Sequence, residues 1–402
     1  MGNKLYGGVM DKHIENIQKS IRNKNIDGWL FCDFHHRDLM AYKILKLPIT
    51  FTSRRWFYFI PAQGEPQKLV SRVESTKLDP LPGKKNVYLS WRELHGELKE
   101  ILKGYKKVAM QYSPMNNIPY VSVVDGGTIE LIRSTGVEVV SSADLVQEFE
   151  AIIDEEGYKS HVEAGKIIQD IKNRAFRKIR EAIDNGEKLS EYELQQWIVS
   201  EFKKNNLTCM DEHPIVGINE HQSDPHFCPT GENPYYFKEG DRVLIDLWAK
   251  LNKPGAIFYD ITWCGYVGKN PPEDYIRVFQ IVMDARDAAL NFVKERFEKG
   301  EKVYGYEVDD VCRKVIIDAG YGEYFIHRTG HSIGEEVHGN GVNIDNLETK
   351  DERELVPGIC FSIEPGIYIP GKVGVRSEID VFIKLNGEVV VAGDIQRELI
   401  LI

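Results

Sequence analysis

Hydrophobic positions along the first third of the chain change their period several times. Residues 11–25 place apolar side chains at helical spacing. DGWLFCDF at 27–34, WFYFIP at 56–61 and KLVSRV at 68–73 are short apolar runs rich in aromatic and β-branched residues, which predicts strands. WRELHGELKEILKG at 91–104 predicts a helix that stops at Gly104, followed by a strand over KVAMQY at 107–112. GGTIELIRSTG and EVVSS repeat helix then strand. Such alternation predicts an α/β domain that ends near residue 150.

The pattern then lengthens. A charged amphipathic helix is expected from about 158 to 183 and a second over LSEYELQQWIVSEFKKNN, where Ser190 and Glu193 have capping-box spacing. DRVLIDLWA (241–249) and FYDITWCGYVG (258–268) predict strands. Two more helices follow at 273–297 and 307–320, and then strand-rich segments at 360–369 and 375–383. Two helices and a hairpin thus occur twice over, which points to an α+β domain with antiparallel sheet and suggests an internal duplication.

A chain of 402 residues is long for a single core and comfortable for two domains. The formal net charge of -11, with no Lys/Arg run, argues against a nucleic-acid partner. No window reaches the apolar length of a membrane span, so no membrane partner is expected. The first twenty residues carry no apolar signal core, and Tyr6 stands where a myristoylation signal needs Ser or Thr. The six cysteines are scattered without a CxxC pair, as in thiols of a reducing compartment. A cytoplasmic protein is the expectation.

Candidate chemistry begins with Asp246 in VLIDLWA, where alternation puts Leu244, Asp246 and Trp248 on one face. Asp260 lies in YDITWCGY, and LNKPGA between the two strands carries a Pro-Gly turn signal. A hairpin would set the two carboxylates side by side. Glu364 in FSIEPG and Glu378 in VRSEIDVF repeat the theme across a Gly/Pro-containing stretch. One acid among apolar neighbours is most often paired with Lys or Arg. Four half-buried acids repel one another and are costly to desolvate, so cations are the natural compensation. Oxygen-rich sites suit hard or borderline divalent ions such as Mn2+.

FIHRTGHSIGEEVHG (325–339) adds His327, His331 and His338, with Gly330 and Gly334 flanking the middle one. One of the three fits as a nitrogen ligand and the others as substrate or transition-state contacts. HPIVGINEHQSDPHF adds His213, His221 and His226 with a weaker signal, because polar loops collect histidine. Arg376 lies two residues before Glu378, hence on the same strand face, where it orients a carboxylate or substrate or forms a plain salt bridge.

This constellation resembles the pita-bread metallopeptidases, among them aminopeptidase P, prolidase, methionine aminopeptidase and the non-metal relative creatinase. Their order Asp, Asp, His, Glu, Glu, with the His in GHxxG, is filled here by Asp246, Asp260, His331 in GHSIG, Glu364 in SIEPG and Glu378 in VRSE. The resemblance spans about residues 155–400; residues 10–150 resemble, more loosely, the creatinase-type N-terminal domain of the proline-specific branch. It implies an α/β domain over 1–152 and a pita-bread catalytic domain over 153–402. It also implies two divalent metal ions, Mn2+ foremost and Co2+, Zn2+ or Fe2+ as alternatives, held by those five residues. Two such ions sit about 3.5–4 Å apart and acidify a shared water. Asp260 and Glu378 would bridge, Asp246 would hold one ion, and His331 and Glu364 the other. Glu364 would move the proton, and His327 and His338 would stabilise the tetrahedral intermediate. His226 in PHF and Arg376 match substrate-side positions of the branch. The implied activity is hydrolysis of the Xaa-Pro bond in proline-containing peptides, at a peptide N-terminus or in dipeptides, by a homodimer.

Two departures bear on substrate choice. The Asp–Asp interval is longer by the LNKPG turn, and Trp248 and Trp263 stand where the family commonly has Gly and Arg. A non-peptide small-molecule hydrolase or lyase on the same dinuclear fold is the alternative, and a non-catalytic binding module a third reading. Fold alone does not choose among them.

Overall fold

The structure, a computed structural model, describes residues 2–402, with side chains from Met10 onward. The chain divides into one unit up to Glu150 and a second, Ala151–Ile402.

In chain order the first unit holds α1 (Gly2–Asn23), β1 (Gly28–Asp33), α2 (Leu39–Ile44), β2 (Trp56–Pro61), β3 (Gln67–Ser71), β4 (Lys84–Tyr88), α3 (Trp91–Ile101), β5 (Lys107–Met110), α4 (Gly126–Arg133), β6 (Glu138–Ser141) and α5 (Ala143–Val146). The strands form one mixed sheet in the order β4-β3-β2-β1-β5-β6, antiparallel only where β2 pairs with β1 and β3. Alternation along β1 explains the layers. Trp29 and Phe31 face a core with Ile14, Ile17 and Ile21 of α1. Leu30 and Cys32 face a second core with Leu94 and Leu98 of α3 and Ile129 and Ile132 of α4. Both faces are covered, which is why these strands read as unbroken apolar runs. Helix α3 ends at Ile101, short of Gly104, because Leu102 already leaves helical geometry; Gly104, at φ +90, completes the reversal.

The second unit holds α6 (Glu155–Asp184), α7 (Glu191–Lys204), β7 (Leu207–Thr208), β8 (Ile215–Ile218), β9 (Arg242–Leu251), β10 (Tyr259–Tyr266), α8 (Glu273–Glu298), α9 (Gly305–Asp318), β11 (Ser332–Ile333), β12 (Cys360–Ile363), β13 (Gly366–Ile369), β14 (Val373–Arg376), β15 (Ile379–Ile383), β16 (Val389–Val391) and β17 (Ile400–Leu401). Asp154 caps α6 by accepting the Gly157 N–H at 2.8 Å, and Ser190 and Glu193 close the expected capping box on α7. Strand β8 had no clear sequence signal; it forms because it pairs with β9.

Each helix pair covers one half of the unit. Ala164, Ile168, Ile171 and Ala175 of α6 pack with Ile198 and Phe202 of α7 on Val243, Ile245, Leu247 and Ala249 of β9. Gly165 permits the approach of α6 to β10, since a Cβ there would meet the Tyr259 ring at 2.6 Å. Helices α8 and α9 cover β12–β15 in the same way. Each buried Ile, Val, Leu or Phe among them contributes about 1.5–3 kcal/mol. With the outer faces taken by helices, the inner faces of β9–β10 and β14–β15 meet each other.

Candidate metal centre

Strands β9 and β10 are an antiparallel hairpin whose register sets Asp246 against Thr262 and Trp248 against Asp260. Opposed residues and residues two apart share a face. Asp246, Trp248, Asp260 and Thr262 therefore lie together, opposite the face that packs on α6. The two carboxylates are diagonal neighbours rather than directly opposed. The long turn between them bends at Gly255, with φ +72, and its far end is tied down by Phe258 N–H to Gly334 O at 3.0 Å.

The second carboxylate pair departs from expectation. The segments 360–369 and 375–383 are each broken, and β12 pairs with β15 around an inserted β13–β14 hairpin. Glu364 sits in the first break and Glu378 in the second. Pro365 has no N–H to continue a ladder. Glu378 donates its N–H to Thr262 O at 3.2 Å, so the chain changes partners between β14 and β15. Arg376 and Glu378 thus do not share a strand face. Both are gathered by one hydroxyl: Thr262 Oγ1 donates to Glu378 Oε2 at 2.7 Å and accepts from Arg376 Nε at 3.1 Å.

His331 is delivered by the segment before β11. A Cβ on Gly330 would stand 1.9 Å from Ser362 O, so only glycine lets this segment lie against β12. Ser362 Oγ accepts the His331 N–H at 3.0 Å and donates to Glu364 Oε1 at 3.2 Å, orienting both. His331 Nδ1 lies 3.1 Å from Ser332 O, leaving Nε2 3.4 Å from Glu364 Oε1 and 3.8 Å from Asp260 Oδ2. Ligand atoms of Asp260, His331 and Glu378 all fall within 4.8 Å of one another.

The charges do not balance. Asp246, Asp260, Glu364 and Glu378 gather around Arg376, which pairs with Asp246 Oδ2, while Arg328 acts on Glu364 only through its charge. Asp246 Oδ1 and Asp260 Oδ1 are buried with no hydrogen-bond partner. Burial, then the neighbouring acids, drives the Asp260 and Glu378 carboxyls well above their ordinary range. Burial pushes Glu364 up to about 7. Burial and His338 hold His331 neutral. With Nδ1–H donated to Ser332, its Nε2 lone pair points at carboxylates. Each uncompensated buried charge costs several kcal/mol, more than one Arg offsets. The donor set, oxygens plus one imidazole, fits divalent cations.

Residues 137–384 match the model of metallopeptidase family M24. The chain belongs to metallopeptidase family M24. It is 44% identical over 165 residues to an Xaa-Pro dipeptidase of Lactobacillus delbrueckii subsp. lactis, a stretch covering 41% of this chain and 40% of that enzyme. Its fold matches dipeptidase PepE from Mycobacterium ulcerans at TM-score 0.69 and 22% identity, over 98% of both chains. It also matches an X-prolyl aminopeptidase from Caenorhabditis elegans, described as a cytosolic enzyme with a di-nuclear active site, at TM-score 0.63 and 17% identity, over 95% of this chain and 61% of that one. The expected pita-bread fold is present.

The other histidines of the M24 chain separate by environment. His338 packs against His331 with ring centroids 4.4 Å apart. His327 is engaged in a relay: Arg376 donates to Tyr368 Oη at 3.3 Å, Tyr368 lies 2.8 Å from His327 Nε2, and His327 Nδ1 lies 2.6 Å from Arg328 O. His226 is exposed, on the loop whose Pro225 carbonyl accepts from Arg376 at 3.2 Å. His221 is bound to Glu191 at 2.9 Å between the Phe227 and Tyr235 rings, a structural role, and His213 is an exposed loop residue.

Sequence reasoning missed the supports. Asp380, fully buried, accepts the Asp260 N–H at 2.7 Å and stands 3.9 Å from His161 Nε2. Its signal, a charge inside the apolar strand EIDVF, equals the one that marked Asp246. Asp309 of α9 accepts from Arg313 and from both the N–H and hydroxyl of Thr329, and Arg313 donates to His327 O, which anchors the histidine segment. Thr262, Ser362 and Tyr368 carried no sequence signal, because hydroxyl residues are ordinary on strands.

Proposed function

We propose that this M24 metallopeptidase is an exopeptidase that hydrolyses the Xaa-Pro bond at the N-terminus of peptides or in dipeptides. The observation that carries the reading is the convergence of Asp260, His331 and Glu378 within 4.8 Å beside Asp246 and Glu364, five donors with one Arg between them. Asp246, Asp260, His331, Glu364 and Glu378 would hold two divalent ions, Mn2+ first. Bound there, the ions supply Lewis acidity toward the scissile carbonyl and water. Glu364, 3.4 Å from His331 Nε2, would take a proton from water and return it to the leaving proline nitrogen. His338, neutral beside His331, would donate to the developing oxyanion, and His226 would contact substrate from its exposed loop. His327 would act through Tyr368 and Arg376, which hold Asp246 in place. Proline has no N–H, so peptidases that bind that donor lose a contact, whereas carbonyl-directed machinery does not.

Trp248 favours a second reading. It sits opposite Asp260 on the donor face with its Nε1 buried and unpartnered, and an indole there would narrow a pocket beside the metals. A non-peptide small-molecule hydrolase or lyase is the alternative. Residues 1–152 would form a creatinase-type N-terminal domain. The family resemblance supports a homodimer. Six free thiols, five of them buried, support a cytoplasmic setting, and no helix among the described residues is long and apolar enough to cross a membrane.

The test is proline release from an Xaa-Pro dipeptide beside N-terminal residue release from an Xaa-Pro-Yaa tripeptide, after Mn2+ loading and after chelation. Metal-dependent cleavage is expected, and the preferred length separates dipeptidase from aminopeptidase. No cleavage of either by protein carrying two metals per chain would overturn the peptidase reading in favour of the small-molecule one.

A further inference from the structure

The first unit contains a crevice lined by none of the five candidate metal donors. It has a volume of about 400 Å3, within the range of small-molecule sites. Its position follows from the topology. After β1 the chain crosses to β2 on one side of the sheet, and after β5 it runs to β6 on the other. The connections part at the carboxyl ends of the parallel pair β1 and β5, where open α/β sheets bind ligands.

The lining is built rather than incidental. His35 and His36 both adopt left-handed backbone, φ +61 and +58, in a loop that contributes Phe34, Arg37 and Asp38 to the wall. Such strain persists only where surrounding contacts impose it. Here Asp33 imposes it, accepting the His36 N–H at 3.2 Å, the Asp38 N–H at 3.1 Å and the Tyr42 hydroxyl at 2.7 Å. Among the described residues, the guanidiniums of Arg37 and Arg55 form no hydrogen bond or salt bridge; Arg37 lies over the Phe34 ring and its charge acts on Asp125 across the crevice. Asp38, only 2% exposed, has one carboxylate oxygen without a partner. Asp125, at the start of α4, accepts from Thr128 N and Oγ1 and keeps spare acceptor capacity. Phe57 adds apolar surface.

Two guanidiniums without a hydrogen bond, three aspartates of which Asp33 is spent on the loop, and aromatic walls in one small crevice are complementary to a zwitterion with an apolar body. We propose that this crevice binds a free α-amino acid with an apolar side chain. Arg37 and Arg55 take its carboxylate, the Asp38 and Asp125 side take its ammonium, and Phe34 and Phe57 cover its side chain. The class is set by the lining alone and does not depend on the peptidase reading.

L-leucine titrated calorimetrically into the metal-loaded full chain tests this, with N-acetyl-leucine as the probe lacking an ammonium. Saturable binding is expected, weakened tenfold or more in Arg37→Gln/Arg55→Gln and retained in Glu364→Gln. Hydrogen exchange on the wild-type chain gives a reading that needs no variant: L-leucine should protect residues 32–38 and 123–128. Absence of saturable binding, full affinity in the double Arg variant, or equal affinity for N-acetyl-leucine would each overturn the proposal. So would protection confined to the strands that carry Asp260 and Glu378.

Discussion

One hydroxyl holds two functional groups at the metal centre. Thr262 donates to Glu378 and accepts from Arg376, whose far end pairs with Asp246. Thr262→Val should lower metal affinity about 10–100-fold while the fold survives, because the supports of ligands matter nearly as much as the ligands. Metal titration monitored by calorimetry decides this, and unchanged affinity would assign the orientation of Glu378 to its backbone alone. Gly330 tests packing at the same scale. A Cβ there meets Ser362 O at 1.9 Å, so Gly330→Ala should destabilise the second unit by about 1–3 kcal/mol or more, read as a lower urea midpoint. Asp246 and Asp260 were legible because a charge inside an apolar strand is conspicuous. Asp380 was equally conspicuous, yet the pairing of carboxylates into two hairpins gave it no place. Thr262 was invisible, because its importance lies in what it touches.

The informative element is the break between β14 and β15. Periodicity reads straight through VRSEIDVFI, whereas the backbone changes partners at Ser377, whose N–H bonds Pro365 O at 3.3 Å. Local sequence favours extended chain throughout, and only the competing sheets decide where it switches. Helix α6 gives a pH prediction. His161 on this helix is fully buried with its pKa lowered to about 4, by burial and against the help of the Phe258 carbonyl. The unfolded chain protonates near 6.5, before the folded one. Stability present above that pH is therefore lost as pH falls from 6.5 toward 4, by roughly 3 kcal/mol as a ceiling. Acids with raised pKa at the metal centre act in the opposite sense, so the urea midpoint of chelated wild-type protein should fall across this range relative to that of His161→Gln. An equal slope in the variant would remove His161 as the cause.

Across the whole molecule, the two units are stabilised by different means. The first is closed by apolar layers on both faces of its sheet. The second has apolar outer faces but meets on an inner surface where five buried acids, Asp380 included, gather around Arg376. Metal should therefore stabilise the second unit selectively. At a hundredfold excess over Kd, a ligand adds about 2.7 kcal/mol. Chelation should speed hydrogen exchange in β9, β10, β12 and β15 and leave β1 and β5 unchanged; uniform acceleration would show that the centre does not carry this stability. Sequence alone determined the long helices and the Ser190 capping box, the strand-like runs, and the acids and the glycine-flanked histidine, since these depend on neighbours within one turn or one pleat. Only the tertiary structure decided that Asp246 is held by Arg376, that Glu378 hangs from Thr262 and that His331 faces Asp260. Those contacts join residues 130, 116 and 71 positions apart, and their geometry comes from sheet register and strand breaks that no local pattern encodes.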